Sequence, residues 1–392
     1  MARKGMVISM NWTQAEETVK RHVKERLDRK LLAGVCAGVW KDGERVLRVC
    51  MGERIPQEHA PMTENTLFRM ASMTKPITGT AAMQLWERGL LSLDDPVSKW
   101  LPEFLNMQVA AEIRDGKITK TVSAERQITP RMLLTHSAGL GCGATYEIQA
   151  DMLNPSENKS REEIISGYSR YILEFEPGER QSYSAFYSLD VLTRIIEMIS
   201  DMNYHDYLKK YIFEPLEMED TTYLPNGEQQ AREMAFAEAR DGALIPEKIS
   251  KKSGFSGFPV GYVSGGAGLF STLSDYSHFA QMLTDSGSWH GRQILTKTSV
   301  DLMGTPQLSP AMEGISDYFN WGLSVRVCSR QGAEQPLNPG SFGWSGAYGT
   351  HFWIDRSERL FAIFLSNLVN GGGSGAEASL EFERDVMEHL GV

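Results

Sequence analysis

Apolar residues near the start of the chain fall at Val19, Val23 and Leu27, the spacing of one helical face, and Thr13 with Glu16 ahead of them has the form of a capping box, so an amphipathic helix is predicted. The stretch "GVCAGVWKDGERVLRVCMGER" then sets two β-branched runs on either side of Asp42-Gly43, a dipeptide that accepts positive φ, which predicts an antiparallel hairpin. Near the other end, "FNWGLSVRVC" and "GTHFWIDRSERLFAIFLSN" give three further strands. The stretch from Ala376 to Leu390, beyond the glycines Gly371 to Gly373, gives a closing helix. Between Gln84 and Ser256 helical periods and polar loops dominate, with helices at "DVLTRIIEMIS" and "YHDYLKKYIF" and few strand signals. The pattern predicts an α+β protein. Its antiparallel sheet, flanked by helices, is built from both chain ends, residues 1–83 and 257–392, and a mainly helical second lobe, residues 84–256, is inserted between them.

Composition narrows the partners. At 392 residues the chain exceeds one ordinary core, and 41% apolar with 23% charged residues is a globular composition. A formal charge of -10 argues against nucleic acid, whose phosphates are held by Lys and Arg. Cys36, Cys50, Cys142 and Cys328 are widely spaced without C-x-x-C, which reads as buried free thiols rather than a zinc site or a dense disulfide framework. The histidines form no metal-binding spacing, so neither a metal nor another cofactor is expected. "MARKGMVISMNWTQAEETVKRHV" lacks the apolar core of a signal peptide, and no run of apolar residues reaches membrane-spanning length. The expectation is a soluble cytoplasmic protein without a membrane partner, and a homo-oligomer is left open.

The candidate chemistry lies in "TLFRMASMTKPITGTAAMQLWERGLLSLDD". Ser72 and Lys75 stand three residues apart at a helix start supported by Pro76, with Ala81, Ala82, Leu85 and Trp86 available for packing. A serine at a helix N-terminus sits beside free N–H groups and a positive dipole end, and a lysine one turn on can reach its hydroxyl. A desolvated lysine is able to act as a base near neutrality. A capping serine beside a solvated lysine is the alternative reading of the same pair. A second S-x-x-K, Ser156 to Lys159, lies in the polar run "NPSENKS" without an apolar wall and is rejected. Downstream, "FEPGERQSYSAFYSLDVLTRIIE" supplies Tyr183 as a proton relay, and "SFGWSGAYGTHFWIDRSERLFAIF" supplies Trp344-Ser345-Gly346 ahead of a strand.

With these segments in order, the chain resembles the serine hydrolases of the penicillin-binding-protein and class C β-lactamase fold, especially the family VIII carboxylesterases. The resemblance runs from "VCAGVWKDGE" through "LFRMASMTK", "ITPRMLLTHSAGL", "FEPGERQSYS" and "GGAGLFSTLSDYSHFAQML" to "GWSGAYGT". It implies that Ser72 is the nucleophile, that Lys75 and Tyr183 form base and relay, and that the backbone N–H groups of Ser72 and Ala347 form the oxyanion hole. Trp344, Ser345 and Gly346 form the third, substrate-binding motif. The absence of G-x-S-x-G fits the resemblance and counts against an α/β-hydrolase. Where β-lactamases and peptidases of this fold usually carry Tyr-x-Asn and Lys-Thr-Gly, this chain has Tyr183-Ser184-Ala185 and Trp344-Ser345-Gly346. Loss of the amide and the ammonium, with a large apolar wall in their place, favours neutral small-molecule esters over anionic lactams. An acyltransferase, a β-lactamase or D-amino-acid peptidase, and a non-catalytic scaffold are the alternatives. The resemblance makes His136 structural; Tyr187 and Trp86 read as core, and "GCGATYEIQADM" and "SGFSGFPVGY" as pocket rims.

Overall fold

Asp42 and Gly43 both take positive φ, 53° and 84°, and turn β1 (Gly34–Lys41) back onto β2 (Glu44–Ile55), as the dipeptide predicts. The computed structural model describes residues 11–150, 159–247, 255, 258–259, 261–332 and 335–390. Six more strands complete the main sheet: β3 (Ala60–Pro61), β4 (Phe319–Trp321), β5 (Arg326–Cys328), β6 (Phe342–Gly346), β7 (Thr350–Asp355) and β8 (Leu360–Leu365). Their order is β4-β5-β6-β7-β8-β1-β2-β3, and every neighbouring pair is antiparallel. The two ends of the chain meet where β1 runs beside β8, from Cys36 opposite Leu365 to Lys41 opposite Leu360.

Five helices frame this sheet and the site beside it: α1 (Trp12–Asp28), α2 (Thr74–Glu87), α3 (Tyr187–Ser200), α4 (Leu273–Thr284) and α5 (Glu377–Met387). Because side chains alternate along a strand, neighbours on β7 meet different layers. Phe352 packs edge-on against Tyr276 of α4, and Trp353 against Phe382 of α5. All of β7 and β8 is therefore buried on both faces. One apolar cluster joins Val19 of α1, Ile363 of β8, Ile77 of α2, Leu192 of α3 and Phe279 of α4. Helix α2 is buried from Thr74 through Leu85, so it runs through the interior rather than over the surface.

Several details depart from the sequence expectation. Helix α1 is capped by Asn11, whose side chain accepts from Gln14 N at 3.1 Å, while Glu16 bonds Lys20 and Arg48 N instead of closing a box. "FNWGLSVRVC" is two short strands, not one. The inserted span holds two hairpins beside its helices, Gln108–Arg114 with Lys117–Ser123 and Ala237–Arg240 with Ala243–Pro246. Both turn on an Asp-Gly pair in positive φ, Asp115-Gly116 and Asp241-Gly242. Cys36 and Cys50 are joined as a disulfide rather than free, whereas Cys142 and Cys328 are free and buried. A bulge between Val39 and Trp40 shifts the β1–β2 register by one residue and brings Cys50 opposite Cys36; without it Val49 would stand there. Among the described residues no helix is long and apolar enough to cross a membrane.

The start of α4 carries a pH-sensitive cost. Asp275 accepts from Asp220 N at 2.8 Å and Thr221 Oγ1 at 2.9 Å, and burial pushes its carboxyl up to about 6 despite those bonds. A folded value above the unfolded 3.8 means that the unfolded chain releases this proton first, so stability falls as pH rises from about 4 through about 6. Asp275→Asn, which keeps the two acceptor contacts without a charge, is expected to raise the melting temperature at pH 7.5 and to match wild type at pH 4. A difference that does not vary with pH would exclude ionisation as its cause.

Candidate active site

The chain reaches Ser72 from the short strand Phe68–Arg69, which pairs with Phe270–Ser271, and leaves it through the turn Ala71–Met73 into α2. Ser72 thus lies just ahead of the helix rather than inside it. Ala71 holds φ of 46°, a left-handed conformation that a residue with a Cβ adopts only when its surroundings enforce it. The enforcement comes from both sides. Thr350 Oγ1 donates to Met70 O at 3.0 Å, Tyr276 Oη to Met73 O at 2.9 Å, and Met70 N to Leu269 O at 2.8 Å. Asn367 brackets Arg69, accepting from its N–H and donating to its carbonyl, each at 3.0 Å.

Around Ser72 Oγ the predicted trio converges. Lys75 Nζ lies 3.2 Å away and Tyr183 Oη 2.7 Å away. Lys75 is fully buried, and its nitrogen also donates to the backbone carbonyls of Ala185 and, at 2.8 Å, Gly266. Two of its three hydrogen directions are taken by these carbonyls, and the third faces Ser72, as an N–H when the group is charged and as a lone pair when it is neutral. The Lys75 nitrogen also lies 4.9 Å from the centre of the Tyr183 ring.

The Tyr183 ring stands in an aromatic box. Trp344 lies 5.2 Å and Trp321 6.0 Å from it, centre to centre, and the two tryptophans meet at 4.7 Å. Trp344 Nε1 points its N–H at Tyr183 Oη, 3.4 Å away. Sequence reasoning missed Trp321; its only signal was an aromatic residue in a strand on the same sheet. The ring of His136 closes the box, 4.6 Å from Tyr183, with Nδ1 accepting from Ser184 N at 3.2 Å. Burial pushes its imidazole well below the usual range, reinforced by the charge of Lys75, which favours a neutral ring at this wall.

Strand β6 brings the third motif beside the turn but divides it between two faces. Trp344 opposes Phe352 in register and shares the face toward the site, whereas Ser345 opposes His351 on the other face. Ser345 Oγ lies 2.8 Å from His351 Nδ1, and His351 Nε2 lies 2.9 Å from Glu383 Oε1, all three buried. The hydroxyl expected at the substrate therefore lies behind the strand. Gly346 touches the Ala71–Met73 turn directly: a Cβ there would stand 2.4 Å from Met70 O and 2.2 Å from Thr350 Oγ1. Ala347, the next residue, is exposed. Of the predicted rims, Phe255 packs 6.3 Å from Phe186 and 5.4 Å from Tyr348, linking the neighbours of Ala185 and Ala347. Tyr187 is core and Trp86 partly so. Ser156 lies outside the described residues. Among the described residues no cluster of His, Cys, Asp and Glu is placed to hold a metal.

The family profile described as Beta-lactamase matches residues 19–381. Protein Rv1367c of Mycobacterium tuberculosis is 30% identical over 357 residues, 88% of each chain. Esterase EstB of Burkholderia gladioli is 28% identical over 378 residues, 90% of each. Among solved structures, that of "EstCE1, a hydrolase with promiscuous acyltransferase activity" superposes with a TM-score of 0.79 at 21% identity, covering 96% of this chain and 99% of its own, a likeness of fold.

Gly346→Ala tests the contact between β6 and the turn. The added methyl has to push the strand off Met70, and a displacement of about 1 Å is enough to cost on the order of 10² in rate. The variant is expected to be labelled at Ser72 by a fluorophosphonate that much more slowly. Labelling at the wild-type rate would mean that the strand's approach is irrelevant to the serine.

Proposed function

The chain belongs to the Beta-lactamase family, and from that premise we propose that it is a serine carboxylesterase, of the family VIII type, acting on neutral small-molecule esters through an acyl group carried on Ser72. The observation that supports this most directly is the placing of Ser72 Oγ between Lys75 Nζ and Tyr183 Oη, within hydrogen-bond reach of both. In this reading Ser72 Oγ attacks the ester carbonyl carbon as its proton passes to the Lys75–Tyr183 pair. The amides of Ser72 and Ala347 hold the oxyanion. The carbon–alkoxide bond then breaks, and the alcohol leaves with the proton from the pair. Water adds to the acyl-serine, gives its proton to the same pair, and the carboxylic acid departs as Ser72 regains a proton.

Substrate preference follows from Trp344 and Ala185. At the third motif a neutral indole N–H faces Tyr183 where lactam-cleaving relatives would present an ammonium, and two tryptophans wall the site with apolar surface. A neutral acyl group gains from that wall, while a carboxylate beside it would be desolvated without a partner. EstB is named an esterase, which agrees with this reading. EstCE1, a hydrolase with promiscuous acyltransferase activity, agrees with acyl transfer, to an alcohol or an amine, as a second reading on the same intermediate. A non-catalytic scaffold is disfavoured because the buried lysine and the tyrosine are both directed at one serine hydroxyl.

Ser72→Ala is expected to abolish hydrolysis of aryl esters while leaving the melting temperature near wild type. Lys75→Met and Tyr183→Phe should each slow turnover by roughly 10² to 10⁴. Their double variant should be little slower than the worse single one, because the two groups move one proton. Multiplied losses would separate them into different steps.

The ratio of kcat/KM for a short aryl ester to that for a penicillin should strongly favour the ester. The double variant Ala185→Asn with Trp344→Lys should shift the ratio toward the lactam, the substrate that presents an anion to the new ammonium. A wild type that prefers lactams would overturn the ester assignment.

A further inference from the structure

The orientation of Lys75 depends on Gly266 O, and the loop that presents it is itself held from α3. Asp190, fully buried in the first turn of that helix, accepts from Ser264 Oγ at 2.6 Å and Gly265 N at 2.8 Å through one carboxylate oxygen. Its other oxygen accepts from Tyr262 Oη at 3.0 Å. Ser264 Oγ in turn accepts from Gly266 N at 3.1 Å and Ala267 N at 3.3 Å, which winds the loop into a tight turn with the Gly266 carbonyl facing Lys75. Thr78, three residues beyond Lys75 on α2, donates to Gly265 O at 2.6 Å from the opposite side.

The fit leaves no space for side chains. A Cβ on Gly265 would stand 2.6 Å from Leu189 O, and one on Gly266 would stand 2.4 Å from Phe186 Cα. The loop lies backbone against backbone on α3, and among the described residues the polar group of that helix that bonds it is the Asp190 carboxylate. Ala185, whose carbonyl is the other acceptor of Lys75, lies two residues ahead of the same helix. Both carbonyls that orient the lysine are thus referred to one rigid element.

Resting on the reading of Ser72 as a nucleophile served by Lys75, we propose that Asp190 is a positioning residue. By anchoring the Ser264–Gly266 turn to α3, it aims the Lys75 nitrogen at Ser72 Oγ. It touches neither substrate nor Ser72. Burial pushes the Asp190 carboxyl above the ordinary range, against the opposing pull of Ser264, Arg161, Tyr262 and Gly265 N. What the turn requires is an acceptor of this shape, and an amide oxygen serves as well as a carboxylate oxygen.

The experiment compares Asp190→Ala, Asp190→Asn and Ser264→Ala, each with and without Lys75→Met, by ester kinetics and by the rate of fluorophosphonate labelling of Ser72. Asp190→Ala is expected to lower kcat and the labelling rate by at least about tenfold with KM within about twofold of wild type, the range of a mispositioned catalytic group. Asp190→Asn should retain more than about a third of wild-type turnover, because its Oδ1 keeps both acceptor contacts and its amide can donate to Tyr262 Oη. Ser264→Ala should fall between them, and it tests the same turn if Asp190→Ala does not fold. In the Lys75→Met background neither Asp190→Ala nor Ser264→Ala should slow labelling further, whereas a general loosening of the fold would. Wild-type labelling in the single variants, a rise in KM alone, an asparagine variant as slow as the alanine one, or undiminished losses without Lys75 would each overturn the proposal. Labelling without ester turnover in the wild type would reject the esterase reading while the labelling rates still tested Asp190.

Discussion

A lysine nitrogen buried away from solvent has to place every one of its hydrogen directions on a protein atom, and much of the surrounding architecture can be read as the solution to that requirement. Two directions end on main-chain carbonyls from segments far apart in sequence, Ala185 and Gly266. The third direction is then fixed on Ser72 whichever protonation state the nitrogen holds. This constraint explains why α2 is an interior helix, since a solvent-facing lysine would satisfy itself with water and lose its aim. It also explains why the segments before α3 and after Ser264 must close on α2 with little tolerance for added atoms.

The sheet contributes through alternation. One face of β6 carries Trp344 into the aromatic box, and the other carries Ser345 to His351 and Glu383. A strand that is apolar on one side and hydrogen-bonded on the other resists sliding by one residue, because a slip would exchange the two sets of neighbours. Register is therefore the property that places Gly346 against the turn and leaves Ala347 exposed beside it. The indole that faces Tyr183 carries no charge, and burial favours the neutral form of the imidazole behind it.

Local signals were legible wherever the physics is local. Asp42-Gly43 announces its hairpin because positive φ at two consecutive positions favours those residues; the same signal at Asp115-Gly116 and Asp241-Gly242 stands in a span dominated by helical periods and is masked by them. The trio was readable because each member lies in a distinctive segment. What escaped were properties set by register and by long-range closure. The Cys36–Cys50 bond depends on a bulge at Val39 and Trp40 that shifts the pairing by one residue. Trp321 enters the box only through the placement of β4 at the sheet edge. Asp190 looks like an ordinary polar residue in an amphipathic helix until the loop it holds is folded onto it. Ser345 sits in a motif whose strand phase could not be assigned to a face without the sheet.

The pairing of β1 with β8 gives this protein a timetable. Cys36 is translated well before its partner Leu365, and at ~5–20 residues per second the intervening chain takes roughly tens of seconds to make. Throughout that interval β1 has β2 on one side and a bare hydrogen-bonding edge on the other, so a nascent chain carries an apolar strand open to unwanted pairing. The third motif lies on β6, which is joined to β1 only through β7 and β8. Ser72, Lys75 and Tyr183 are all translated long before the strand that shelters them, and on the ribosome the site is incomplete. Non-local strand pairing of this kind forms more slowly than local helices, so the sheet edge stays open to unwanted pairing until β8 arrives.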